Sequence, residues 1–308
     1  KPPRGRPFYA GFRRENDKVV QECFLLDWSR AKVARMVGRD NGPATEAKLS
    51  RCYRQFLALY RDLSCIGTTG ETGFGVTQLE ASALLTQAGL VDETTRVSDI
   101  DRCFIAAKVL PMELRKAGVR AANDKVLNRH QFLEMLLRVA DQRFVQTGRS
   151  KCMADAIFLV LEPLIPVAEA KLTELDAFHD AFHTDEVDDV MKKHHPALQE
   201  VYRRYSGRVT PPGVAKFMSF SEFQELLETS HSYTPDFTQR RAGLAYRLAM
   251  MTQSEEMFKT RFQEMSFMEF QHAVGTTAFL RGGGETEELA VLVDAYIREK
   301  LVPVARGR

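Results

Sequence analysis

The segment Met218–Leu227 reads MSFSEFQELL, and the later segment Met265–Val274 reads MSFMEFQHAV. Six of the ten positions are identical in the two copies. In each copy an apolar residue precedes a serine that can cap a helix, and a Glu-Phe pair then begins an apolar helical face. The repetition has two interpretations: a functional site that occurs twice, or a structural joint that occurs twice.

The same outline occurs twice more in the first half of the chain, around Val76 and Leu127. Each unit has a helix, a loop of about a dozen residues and a second helix, which is the outline of an EF-hand. The apolar residue before each second helix then lies where paired loops form a short β-bridge, which predicts bridging roles for Val76, Leu127, Met218 and Met265. The position beside the glutamate is predicted to lie in the core, and its occupants are Phe132, Phe223 and Phe270, with Ala81 in the first unit.

A calcium loop requires oxygen ligands at positions 1, 3 and 5 and a bidentate glutamate at position 12. Position 12 is occupied by Glu80, Gln131, Glu222 and Glu269. Three of the four loops supply at most one side-chain oxygen at the earlier positions, and the first supplies two, from Thr69 and Glu71. Because calcium takes about six to eight oxygen ligands, the sequence predicts no bound calcium and favours the structural joint.

The two halves repeat their helices and loops in the same order, so we predict an all-α protein with two tandem lobes. Each lobe is a pair of degenerate EF-hand-like helix–loop–helix units, and an extended basic arm precedes them. The predicted segments are the arm (1–19), the N-terminal lobe with a leading helix (20–148), a helical connector (149–183), the C-terminal lobe (184–281) and a C-terminal helix with a basic tail (282–308). Apolar spacing also predicts separate helices over about 20–37 and 45–63, and Ser98 as the N-cap of a later helix.

Composition excludes several classes of protein. The chain has 308 residues, a net charge of +2 and 44% hydrophobic residues, which is an ordinary globular balance. The charge is too small to predict a nucleic-acid partner, and no apolar run approaches the roughly 18 residues of a membrane span. The five cysteines form no CxxC pair and predict reduced thiols, with neither disulfides nor a zinc site.

The N-terminal arm combines positive charge with aromatic rings. Its predicted partner-binding residues are the cations Lys1, Arg4, Arg6, Arg13 and Arg14 and the rings Phe8, Tyr9 and Phe12. Three prolines in the first seven residues oppose helix formation, so we expect an extended strand that could lie along an acidic protein surface. The alternative is a free tail without a partner.

No set of residues in the sequence predicts catalysis or a cofactor. His179 and His183 are four residues apart with Asp176 and Asp180 beside them, a spacing that can hold zinc on one helix face. The alternative is an exposed acidic helix, which the run of Asp and Glu residues around it favours. We therefore expect a protein that is not an enzyme and that holds no catalytic metal.

The first half also resembles the tubulin polymerization-promoting protein family over roughly residues 50–145. The resemblance rests on LVD at 90–92, VSDID at 97–101, QF at 131–132 and RF at 143–144, which follow one another in the family's order. Residues 197–280 are similar more weakly. Tandem modules of this kind also look similar to degenerate EF-hand proteins of ciliary doublet microtubules.

This resemblance implies a structural role on microtubules, with tubulin and other axonemal proteins as partners. It further implies a cytoplasmic, cytoskeletal location in the axoneme of a cilium or flagellum. The alternative function is an EF-hand adaptor, calcium-responsive or calcium-independent, that holds a partner helix. The calcium loops distinguish the two classes, and their lack of ligands favours the microtubule role.

Overall fold

The computed structural model describes residues 5–32, 34–65, 74–110, 112, 116, 125–284, 286 and 288–307. These residues are mostly helical, with one short two-stranded sheet among them, which confirms the predicted all-α class. None of the helices in the described part is both long and apolar enough to cross a membrane. The chain divides into two compact units.

The N-terminal unit comprises the described residues of Asn16–Leu172 together with Gln253–Lys259. Its elements are α1 (Asp17–Arg30), α2 (Ala34–Leu63), β1 (Val76–Thr77), α3 (Gln78–Gln87), α4 (Val97–Lys108), β2 (Val126–Leu127), α5 (Arg129–Ala140), a π-helical turn (Asp141–Val145), α6 (Met153–Leu161), a 3-10 turn (Glu162–Leu164) and the first part of α7 (Ile165–Phe182). Helix α6 packs against α2 and α5. The aromatic core of this unit stacks Phe56 between Tyr53 and Phe132.

Two local predictions in this unit are wrong. Helix α2 runs without a break through Pro43, where the sequence predicted a gap between two helices. Val37 and Thr45 are buried on either side of Pro43, and this packing offsets the backbone hydrogen bond that proline cannot make. Helix α4 begins at Val97 with Arg96 as its N-cap, so Ser98 lies inside the first turn, and Asp99 accepts a hydrogen bond from the Arg96 backbone N–H.

The C-terminal unit comprises the described arm residues 5–15, Thr173–Thr252 and residues 260–307. Its elements are the rest of α7, α8 (Asp185–Lys193), α9 (His195–Tyr205), α10 (Phe220–Thr229), α11 (Gln239–Ala249), a 3-10 turn (Arg261–Gln263), α12 (Phe267–Arg281), α13 (Leu289–Tyr296), a π-helical turn (Ile297–Leu301) and α14 (Val302–Ala305). Helix α12 is central and packs against α11 and α13. Its residues from Glu269 to Leu280 are all buried.

The boundaries of the two units differ from those of the predicted segments. The arm ends near residue 15, because Asn16 caps α1 by accepting a hydrogen bond from the Val19 backbone N–H. Helix α6 and the first part of α7, predicted as a connector, belong to the N-terminal unit. Residues 253–259 lie within the predicted C-terminal lobe but also belong to the N-terminal unit.

Candidate functional site

The repeated decamers meet at a backbone bridge in the C-terminal unit. The Met218 N–H donates to the Met265 carbonyl at 2.9 Å, and the Met265 N–H donates back at 3.1 Å. In the N-terminal unit Val76 pairs with Leu127 in the antiparallel ladder of β1 and β2. Both pairings were predicted from the sequence, and both are confirmed.

Two tyrosines that the sequence analysis missed reinforce the methionine bridge. The buried Tyr246 hydroxyl donates to the Met218 carbonyl at 2.8 Å. The Tyr202 hydroxyl donates to the Met265 carbonyl at 2.9 Å. The two bridging carbonyls therefore each accept a backbone and a side-chain hydrogen bond, which fixes the joint between the two helix–loop–helix units.

The four residues at position 12 of the candidate calcium loops all take part in N-terminal helix caps. Glu80, Gln131, Glu222 and Glu269 each accept a hydrogen bond from the backbone N–H of the residue three positions earlier, at distances of 2.7 to 3.1 Å. The capping side chains are Thr77, Asn128, Ser219 and Ser266, and each forms a reciprocal capping box with its partner. The repeated Glu therefore has a structural role, as the joint interpretation predicts.

Two of these carboxylates are also buried and satisfied by further protein donors. The second oxygen of Glu222 accepts the Arg208 backbone N–H at 2.7 Å. Glu269 accepts the Met251 backbone N–H at 3.1 Å and pairs with the Arg261 guanidinium at 2.6 Å. A calcium ion would have to displace these donors, and at Glu269 it would compete with a cation that is already bound.

The predicted core aromatics lie where the repeat places them. Phe132, Phe223 and Phe270 are all at most 1% exposed, and Ala81 is fully buried. Phe132 stacks with Phe56 in the N-terminal unit, and Phe223 contacts Tyr246 in the C-terminal unit. The ring that follows Gln131, Glu222 or Glu269 therefore lies in the core of its unit and not on a partner-facing surface.

The rings of the arm pack against the C-terminal unit, which corrects the prediction of an extended, unpacked strand. Phe12 stacks on His272 with ring centroids 3.6 Å apart, and Tyr9 stacks on His183 at 4.6 Å. Phe8 meets Phe182 edge to face, at 5.4 Å. Because aromatic rings gain free energy when they leave water, intramolecular burial competes with the predicted contact to a partner.

A turn brings these rings together on one side of the arm. The Ala10 N–H donates to the Pro7 carbonyl and the Phe12 N–H to the Tyr9 carbonyl, so the backbone between them curls. The Phe8 N–H donates to buried Asp188 at 2.8 Å. Gly11 allows the arm to approach closely, because a Cβ atom there would lie 2.5 Å from the Met268 methyl group.

The histidines beneath the arm form a neutral pair. The two Nε2 atoms of His183 and His272 lie 2.9 Å apart, and His272 Nδ1 lies 3.0 Å from the Met268 carbonyl, to which it must donate. His272 Nε2 is therefore the acceptor, and His183 Nε2–H is the donor. Burial lowers the pKa of His183 to about 4 and that of His272 well below its usual value, so both rings stay uncharged near neutral pH.

The acidic residues beside these histidines pair with the arm. Arg14 lies 2.7 Å from Asp180 and 3.6 Å from Asp176. Within the described residues there is no group of three or more His, Cys, Asp or Glu side chains that could hold a metal ion. The side chains of Asp176 and Asp180 are 46% and 71% exposed, as an exposed acidic helix predicts, whereas His179 is buried.

The arm cations have different environments. Arg6 and Arg13 are exposed, whereas Arg14 is paired with the two aspartates. Lys1 and Arg4, the other predicted partner contacts, lie outside the described residues. Among the described residues, the structure therefore separates the predicted binding residues into rings that anchor the arm, a paired Arg14, and the exposed cations Arg6 and Arg13.

The N-terminal unit contains a buried ionic cluster that the sequence analysis did not predict. Arg129 pairs with Asp27 at 2.6 Å and with Glu256 at 3.2 Å, and it donates to the Gln253 and Ser254 carbonyls. Burial alone lowers the pKa of Arg129, but the two carboxylates raise it well above its usual value, so the guanidinium stays charged. The only sequence signal was an arginine at the start of an apolar helix.

Comparisons with protein-family models, with curated proteins and with solved structures find no match to this chain. The family resemblance drawn from residues 50–145 therefore stays a prediction.

Proposed function

We propose that this chain is a non-catalytic structural protein that binds microtubules through calcium-independent, EF-hand-like pairs of helices and through the cations of its arm. The observation that carries the proposal is the joint itself. Each unit contains an antiparallel backbone pairing just before two capped helices, at Val76–Leu127 and at Met218–Met265. This is the pairing expected of EF-hand lobes.

The occupied carboxylates support a structural role over a calcium-sensing one. A sensor needs carboxylates that the ion can reach, and binding energy that differs between two conformations. In the C-terminal unit Glu222 and Glu269 are buried and already accept hydrogen bonds from the protein. These loops are closed by the protein's own donors, which favours a fixed scaffold.

The microtubule part of the proposal rests on the family resemblance of residues 50–145 and on the arm. The Phe8, Tyr9 and Phe12 rings fix the arm on its unit, while Arg6 and Arg13 remain exposed. Tubulin presents an acidic surface, to which arginine can make forked hydrogen bonds. We place the protein on this basis in the cytoskeleton, with an axonemal doublet microtubule as the proposed assembly and other axonemal proteins as further partners.

Co-sedimentation with taxol-stabilised microtubules tests the proposal. We expect the intact chain to pellet at low salt and Arg13→Gln to weaken pelleting by about two- to fivefold, as for one exposed ion pair. The difference should shrink at high salt because screening removes the electrostatic part. Arg14→Gln is the matched control, since its charge is already paired with Asp176 and Asp180, and it should pellet like the intact chain.

Failure of the intact chain to pellet at low salt would reject microtubule binding. If the intact chain pellets and Arg13→Gln pellets equally well, the helical lobes and not the arm carry the contact.

A further inference from the structure

The C-terminal unit has a cavity of about 690 Å³ beside the arm. Its apolar walls are Phe8 of the arm, Met251, and Phe267 and Met268 at the start of α12. This volume is in the range of ligand sites, roughly 300–1,000 Å³. Methionine side chains adapt their shape to what they contact, so two of the walls can adjust to an occupant.

The rim of the cavity is cationic. Arg6 lines it and is exposed, and its guanidinium donates to the Ala10 carbonyl at 3.4 Å, a long and weak hydrogen bond. Lys192 lines it as well, and its ammonium group binds Asp188 at 2.7 Å and the Gly5 carbonyl at 3.2 Å. Because Asp188 neutralises Lys192, Arg6 is the more available cation for an anionic occupant.

Gln271 supplies the second observation. It lines the cavity and is only 4% exposed, yet its amide nitrogen is buried without a hydrogen-bond partner among the described residues. A buried amide without a partner destabilises the folded state and is rare in native structures. A polar group of an occupant would supply the hydrogen bond that this amide nitrogen lacks among the described residues.

We infer that this cavity binds a short acidic peptide segment that carries a large apolar side chain, supplied by a partner protein. The side chain would occupy the walls formed by Phe8, Phe267 and the methionines. The Gln271 amide, with both a donor and an acceptor, matches a peptide group. The carboxylates flanking the side chain would face Arg6. This inference does not depend on microtubule binding.

The test uses the intact chain with ¹³C-labelled methionine methyl groups and the synthetic peptide acetyl-Glu-Glu-Phe-Glu-Glu-amide. We expect the methyl signals of Met251 and Met268 to shift during a titration to millimolar peptide. Signals from Met135 and Met153, which are buried in the N-terminal unit, should stay in place. Peptides with Gln in place of Glu, or with Ala in place of Phe, should each bind at least about fivefold more weakly, since each lacks one of the two recognised groups.

Substitutions then assign the recognition to particular groups. Gln271→Leu preserves the volume and should weaken binding about tenfold. Arg6→Gln, at an exposed position that folding does not require, should weaken it about threefold. Arg14→Gln is the control with the same charge change, and it should bind like the intact chain because its partners are Asp176 and Asp180.

Three results would overturn the inference: no shift of Met251 and Met268, equal binding of the Gln-containing peptide, or an Arg6→Gln variant that binds as tightly as the Arg14→Gln control. Dodecanoate that shifts the two methyl groups when the peptide does not would also overturn it, because the cavity would then be a site for small amphiphiles.

Discussion

Each unit of the protein contains a segment that is distant in the chain, and the two units hold these segments by different forces. The N-terminal unit holds residues 253–259 with charge, through Arg129 to Glu256 and through Arg30 to Glu255. The C-terminal unit holds residues 5–15 mainly with rings stacked on neutral histidines. A buried charge needs a specific partner, whereas stacked rings share their stabilisation among several contacts. The two segments should therefore respond differently to the loss of one side chain.

The largest expected effect comes from breaking the ionic cluster. Arg129→Met leaves the carboxylates of Asp27 and Glu256 buried without their cation, which should lower the free energy of unfolding by about 3–5 kcal/mol. Arg102→Met, at a side chain that is 69% exposed, is the control and should change stability by less than about 1 kcal/mol. Urea denaturation measures both, and a loss below about 1 kcal/mol for Arg129→Met would mean that the cluster is not what holds the segment.

A smaller effect is expected on the aromatic side of the comparison. Phe12→Ala removes one of three arm rings, and we expect a loss of about 1–2 kcal/mol because Phe12 is only partly buried and the neighbouring rings remain. Tyr9→Phe keeps its ring and should leave stability unchanged within about 0.5 kcal/mol. Limited proteolysis of the arm and thermal melts provide the measurements. A loss of unfolding free energy as large as that of Arg129→Met would contradict the view that several ring contacts together stabilise the arm.

Acidification should also distinguish the two segments. In the unfolded chain histidine titrates near pH 6.5, whereas burial lowers the folded pKa of His183 to about 4 and that of His272 well below its usual value. Between about pH 6.5 and 4 the unfolded state therefore binds protons that the folded state does not. The part of the free energy of unfolding that depends on these neutral histidines is fully present above about pH 6.5. It falls as the pH is lowered, by up to about 1.4 kcal/mol per pH unit for a fully buried histidine.

The N-terminal unit has one histidine of this kind, His130, whose pKa burial lowers to about 3, while Arg129 keeps its charge throughout this range. Amide hydrogen exchange at pH 7.5 and at pH 5 should show the arm losing protection before residues 253–259 do. His272→Gln should flatten the pH dependence of the melting temperature, and the exposed His231→Gln should not. Equal loss of protection in both segments would contradict the prediction that acid weakens the packing of the arm more than that of residues 253–259.

The smallest expected effect is that of calcium. Because Glu222 and Glu269 are satisfied by protein donors, 1 mM calcium should leave the melting temperature unchanged within about one degree. The first loop is where this prediction is most open to test, because it has the most candidate calcium ligands. Of these, Thr69 and Glu71 lie outside the described residues, and Glu80 accepts a hydrogen bond from the Thr77 backbone N–H in its helix cap. Calcium stabilisation that Glu80→Gln abolishes would show that this loop binds the ion.

The sequence was sufficient for the features that are local or repeated. Bridges at Val76–Leu127 and Met218–Met265 and the buried Phe223 and Phe270 follow from the spacing within a short segment. The continuous helix through Pro43 did not follow, because tertiary burial overrode the local preference of proline.

The contacts that join distant parts of the chain could not be predicted. His272 stands in an apolar helix with nothing in the sequence to connect it to Phe12, and the same holds for Arg129 and Glu256. The arm's composition indicated a partner-binding surface, yet its rings have an intramolecular partner. Such pairings depend on packing between segments separated by more than a hundred residues, which periodicity and composition do not encode.

The placement of residues 5–15 and 253–259 affects the order in which the protein can fold during synthesis. Residues 5–15 are synthesised well before the helices they pack on, which are complete only after residue 272 has been added. The N-terminal unit must likewise wait for residues 253–259, so its buried Arg129 lacks the Glu256 carboxylate until that segment has been synthesised. Neither unit can be completed on the nascent chain in sequence order. We therefore expect the final folding step to follow the synthesis of residue 272, and a nascent chain that stalls before residue 253 to be a substrate for chaperones.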